Sequence, residues 1–166
     1  VPWPLTLTPR QRAALKAMAG LMLPADSHSP SAAALPIDAF LDEWVSAPYP
    51  QQREDRALVL SGLQWLDADC VRRFGARFAA ISDDQRRQVF DTVAYKDRVA
   101  PGLEKPAQFF ARLRALMLGG FYSLPEGMAD IGYLGNKPMA GDYPGPTPEA
   151  LAHLNAGLAK LGLKPV

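Results

Sequence analysis

Proline placement constrains this fold more than any other feature of the sequence. Sixteen prolines punctuate 166 residues, and most of them separate stretches whose apolar residues recur at helical spacing. Proline has no backbone N–H and a fixed φ, so a helix accepts it in the first turn and breaks around it elsewhere. The text therefore reads as about six helical segments joined by proline-bearing turns, with no convincing alternating strand pattern. The fold class that follows is all-α: an irregular helical bundle, one domain over residues 1–166.

The segments can be placed in order. Thr8-Pro9 opens the first helix, with Gln11 completing a capping box. Leu15, Met18, Ala19 and Met22 follow at helical spacing, and the helix is expected to stop before Pro24. After a turn-rich loop, a second helix is expected from about Ala32 to Val45, with Ile37, Phe40, Leu41 and Trp44 on one face. The third and longest segment runs from about Arg53 to Phe78. Its apolar stripe is Leu60, Leu63, Trp65, Leu66, Val71, Phe74 and Phe78, with Gly62 and Gly75 as points of close packing or a bend. Ser82 and Gln85 form another capping box, and Val89, Phe90 and Val93 supply that helix's inner face. Pro106 starts a fifth helix carrying Phe109, Phe110, Leu113, Leu116, Met117 and Phe121. A last helix begins at Thr147-Pro148 and carries Leu151, Leu154, Leu158 and Leu161.

Charge narrows the function classes. There are 18 basic and 17 acidic residues, a formal charge of +1. Arg72, Arg73, Arg77, Arg86 and Arg87 are interleaved with Asp67, Asp69, Asp83 and Asp84, so no basic stripe marks a nucleic-acid binder. No apolar run reaches the roughly 20 residues a membrane span requires. The chain opens VPWPLTLTP, which has neither a basic nor an apolar leader region, and a start on valine is expected of a processed N-terminus. Cys70 is the single cysteine. It is read as a buried apolar residue on a helix or, in an oxidising compartment, as a thiol available for an interchain disulfide.

Catalytic constellations are scarce in the text. His28 and His153 are far apart and lack metal-ligand spacing, and no glutamate is followed three residues later by histidine. There is no nucleophile elbow and no dinucleotide fingerprint. No catalytic, cofactor-binding or metal-binding residue is therefore assigned to this chain. What stands out instead is GYLGNKPMAGDYPGP, residues 132–146. Such a loop is ordered only if its side chains find a surface to cover, because each backbone residue fixed costs about 1–2 kcal/mol. Tyr133, Leu134, Met139 and Tyr143, with Phe121 and Tyr122 just before them, either fold onto their own bundle or dock into a partner.

These same stretches carry a resemblance. LTPRQRAALKAMAGLMLPAD, PIDAFLDEWV, FFARLRALMLGGFYSLPEG and DIGYLGNKPMAGDYPGP together resemble the gluconate 2-dehydrogenase subunit 3 family, over Leu7 to about Pro146. The resemblance implies a small gamma subunit of a bacterial FAD-dependent sugar or polyol dehydrogenase. Its partner is expected to be a large FAD-containing flavoprotein of the glucose–methanol–choline (GMC) type, often with a c-type cytochrome as electron acceptor. It also implies twin-arginine export and a periplasmic mature form. On this reading FAD and the chemistry sit in the partner, and the partner-facing residues are Phe121, Tyr122, Tyr133, Leu134, Asn136, Met139 and Tyr143. Two other readings stand beside it: a transient export chaperone absent from the mature enzyme, and a self-contained helical enzyme or ligand-binding bundle.

Overall fold

Both capping boxes form as the sequence dictates. The computed structural model describes residues 2–135 and 140–166. In it the Thr8 side chain accepts the Gln11 N–H while Gln11 reaches back to the Thr8 N–H, and Ser82 and Gln85 repeat the arrangement. Among the described residues there are seven α-helices and no strand: α1 (Pro9–Met22), α2 (Ile37–Ser46), α3 (Pro50–Phe74), α4 (Asp83–Asp91), α5 (Glu104–Phe121), α6 (Pro125–Asp130) and α7 (Pro148–Lys160).

Helix boundaries depart from the periodicity where proline and glycine act locally. Leu35 precedes Pro36 and is pushed to extended backbone (φ −103°, ψ 163°), so Ala32–Ala34 forms a separate 3₁₀ turn and α2 begins only at Ile37. Proline at the first position lets α3 start at Pro50. The helix ends at Phe74 because Gly75 takes the left-handed conformation (φ 73°) and returns its N–H to the Val71 carbonyl. Phe78 then lies in its own 3₁₀ turn. α5 starts two residues before Pro106, whose missing N–H falls in the first turn, where no intrahelical acceptor exists. The short α6 was not anticipated; Pro125 opens it.

The chain divides into two compact units, Val1–Tyr133 and Leu134–Val166. The first contains the hydrophobic core. Leu15 and Met18 of α1, Leu41 and Val45 of α2, Leu66 of α3, and Phe109, Leu113 and Met117 of α5 are all essentially inaccessible. Phe78 stacks on Phe90, with ring centroids 5.4 Å apart, and Phe90 meets Phe110 edge to face at 5.0 Å. Two glycines allow helices to approach where a side chain would collide. A Cβ on Gly62 would lie 2.0 Å from the Phe109 ring, and one on Gly120 would lie 2.6 Å from the Phe40 ring. Val71 departs from the expected stripe and is exposed. α3 runs 25 residues and carries apolar side chains on more than one face, so no single orientation buries them all.

Polar groups pin the helices. Arg12 of α1 donates two hydrogen bonds to Oδ2 of Asp38 in α2, at 3.0 and 2.7 Å. Arg56 of α3 caps carbonyls at the end of α2 that have no intrahelical donor, donating to Val45, to Ser46 at 2.7 Å and to Ala47 at 3.2 Å. The buried Asp42 receives the N–H groups of Thr6 and Leu7, which ties the N-terminal segment to α2.

The second unit contains α7, whose Thr147 side chain accepts the Ala150 N–H. No residue of α7 is buried.

Candidate functional site

The residues expected to face a partner separate into three groups. Tyr133, Leu134 and Tyr143 are exposed, at 52%, 78% and 70%. Tyr122 is half-buried and packs on the core, with its hydroxyl 3.5 Å from an Asp130 carboxylate oxygen. Phe121 is a correction: it is 2% exposed, because it closes the α5 stripe and contacts the Tyr122 ring edge to face at 5.1 Å. Asn136 and Met139 lie outside the described residues.

Cys70 is fully buried on α3, as the first of its two readings expects. Burial above all, reinforced by Asp69 and Asp67, raises the thiol to about 11, which keeps it protonated and unreactive near neutral pH.

Unburied apolar surface is concentrated late in the chain. Of the twelve large hydrophobic residues exposed among those described, eight fall at or after Ile131. Two of them, Ile131 and Tyr133, end the first unit, and the other six lie in the second. The glycines between them, Gly132, Gly135, Gly141 and Gly145, all have φ between 63° and 89°. Each turns the chain left-handed where an L side chain would be strained.

Three further arrangements lie on the first unit. Asp55, 3% exposed, accepts Arg112 Nε and Nη2 at 2.7 Å each and Trp44 Nε1 at 2.8 Å. This links α2, α3 and α5, and the Arg112 hydrogen bonds are the main reason the Asp55 carboxyl titrates below its ordinary value. A groove of about 880 Å³ between α1 and α3 is lined by Leu60, Val71, Arg10, Asp67, Arg72 and Arg77. Its cations are matched locally: Arg10 and Arg77 each lie 3.9 Å from Asp67, and Arg72 pairs with Asp69. Farther along, Arg73 lies 3.4 Å from Asp69, Arg86 2.6 Å from Asp83 and Arg87 2.9 Å from Asp84. The third is a cleft of about 300 Å³ walled by Trp3, Phe40, Trp44 and Tyr49. The sequence reading assigned no role to Trp3 or Tyr49. Both sit in proline-flanked turns outside any helical stripe, and only that displacement from the periodic pattern could have marked them.

The model of the family described as Gluconate 2-dehydrogenase subunit 3 matches residues 9–145. The chain belongs to that family. The match takes in α1 through α6 and nearly all of the glycine- and tyrosine-rich stretch, and it ends just before α7. No curated protein and no solved structure matches the chain. As a subunit 3 protein it is a small subunit of a dehydrogenase complex, and no helix among its described residues is long and apolar enough to cross a membrane.

Proposed function

We propose that this chain is the non-catalytic small subunit of a periplasmic, FAD-dependent dehydrogenase acting on sugars or polyols. Its partner is a large GMC-type flavoprotein, with a c-type cytochrome downstream as electron acceptor. The observation that carries this reading is family membership over residues 9–145. The exposed Tyr133, Leu134 and Tyr143 support it by supplying side chains typical of protein interfaces.

The flavin is assigned to the partner because this chain's residues do not suit it. A dinucleotide fold seats the pyrophosphate on a glycine-rich turn between a strand and a helix. Here the left-handed glycines follow no strand among the described residues. When bound in the partner, FAD supplies the hydride acceptor. This chain's residues cover apolar partner surface, and binding only the folded flavoprotein stabilises it by mass action.

Co-expression with a GMC-type flavoprotein from the same host tests the reading. The pair is expected to purify together with FAD in fixed ratio and to oxidise a sugar, while the isolated chain does neither. Leu134→Asp with Tyr143→Asp is expected to weaken the pair. A sugar oxidation performed by the single chain would overturn the proposal. Absence of the chain from the mature enzyme would replace it with the export-chaperone role.

A further inference from the structure

The cleft beside the end of α2 has a composition that selects for one ligand chemistry. Trp3 and Tyr49 stand at 86° to each other with centroids 6.0 Å apart, and Phe40 and Trp44 contribute two more rings one helical turn apart. Aromatic faces are electron-rich and attract cations. Glu43 is the one ionisable acid or base in the lining, it is exposed, and it is absent from every ion pair and side-chain hydrogen bond found among the described residues. The cleft also lies at the C-terminal end of α2, the negative pole of the helix. Arg56 caps three of the last carbonyls from the α3 side, so Glu43 supplies the negative charge on the cleft side. Trp3 donates its Nε1–H to the Glu43 carbonyl at 3.4 Å, so the indole is held by the same helix end that forms the wall.

The geometry points to a binding site for an alkylated ammonium group: methyl groups against the rings of Trp3, Tyr49, Phe40 and Trp44, with the charge facing the Glu43 carboxylate. A volume of about 300 Å³ accommodates such a head group with room for its substituent. Gln52 at the rim has an amide able to bond a polar tail. Neutral sugars also stack on tryptophan and can donate hydroxyls to a carboxylate, but they carry no charge to balance that of Glu43. This inference is independent of the proposed dehydrogenase role.

Tetramethylammonium chloride is the probe, followed by the ¹⁵N–¹H signals of the Trp3 and Trp44 indoles, with sodium chloride matching the ionic strength. Tert-butanol serves as the neutral isostere and glucose as the sugar. Saturable shifts of both indoles with tetramethylammonium, and none with tert-butanol or glucose, are expected. Glu43→Gln and, separately, Tyr49→Ala should each weaken binding about tenfold while leaving the melting temperature unchanged. Shifts of equal size with tert-butanol, preferential binding of glucose, no saturable response at millimolar probe, or undiminished binding by both variants would each overturn the assignment.

Discussion

Replacing Gly62 by alanine tests the helix packing at its tightest point. A Cβ at this position would lie 2.0, 2.1 and 2.6 Å from Cγ, Cδ2 and Cδ1 of Phe109. These atoms form the root of the ring rather than a flexible tip, and Phe109 is 1% exposed. Carbon atoms pack at about 3.5–4.0 Å, so the ring would have to retreat by about 1.5 Å into a filled core. Overpacking of this kind costs about 1–3 kcal/mol, here toward the upper end, whereas alanine's better helix propensity returns about 1 kcal/mol. A net loss of about 2 kcal/mol should lower the melting temperature by about 4–8 °C in a chain of this size. Thermal unfolding followed by far-ultraviolet circular dichroism measures it. Gly119→Ala is the matched control, because nothing lies within 4 Å of its Cβ and the same propensity gain should stabilise slightly. Adding Phe109→Leu to Gly62→Ala should recover part of the loss, so the two changes should be non-additive. A Gly62→Ala protein as stable as the parent, or strictly additive behaviour, would refute the close α3–α5 contact.

Three other perturbations follow from the buried polar groups and the thiol. Asp55→Asn removes the charge facing Arg112, whose side chain is 34% exposed, and should cost about 2–3 kcal/mol in urea unfolding at neutral pH. Because hydrogen bonds from Arg112, and secondarily from Trp44, depress the Asp55 carboxyl, its stabilisation is complete above the ordinary carboxylate pKa of about 4. It is lost as pH falls through the lower folded value, so parent and variant should converge in acid. Asp42→Ala strips the acceptor from the Leu7 N–H and leaves the Thr6 N–H with Ser46 Oγ alone, costing about 1–3 kcal/mol and exposing the first residues to limited proteolysis. Cys70, buried and raised to about 11, should resist iodoacetamide at pH 8 until denaturant is added, and non-reducing electrophoresis should show no linked dimer.

Much of the bundle was legible because short-range chemistry decided it. Thr8 with Gln11 and Ser82 with Gln85 formed the boxes their spacing implied, and the α5 stripe from Phe109 to Phe121 is buried throughout. Errors arose where one residue overrode the period. Pro36 delayed α2, Gly75 ended α3 early, and the six residues from Pro125 to Asp130 were enough for a short extra helix. Surface assignments were harder. Phe121 and Tyr133 look alike in composition, but only Phe121 has helical neighbours that fix its direction, and that direction is inward. A loop residue has no period from which to read its face. Trp3 and Tyr49 escaped notice for the same reason, since their pairing spans residues distant in sequence.

The apolar face of α7 leads to a last prediction. A helix of 13 residues is marginal in water unless something packs on it. Its leucines at 151, 154, 158 and 161 recur at helical spacing, yet Leu154 and Leu161 are 46% and 74% exposed. Covering a leucine fully contributes about 1.5–3 kcal/mol. If the proposed flavoprotein partner supplies that cover, Leu154→Ser with Leu161→Ser should raise the dissociation constant of the pair at least about tenfold, mainly through faster dissociation. The family match ends at residue 145, before α7 begins. Comparing this double variant with Leu134→Asp and Tyr143→Asp separates a contact made by α7 from one made by the segment inside the match. Biolayer interferometry of both variants against the flavoprotein decides between them. Unchanged binding by the leucine variant would confine the interface to residues before α7.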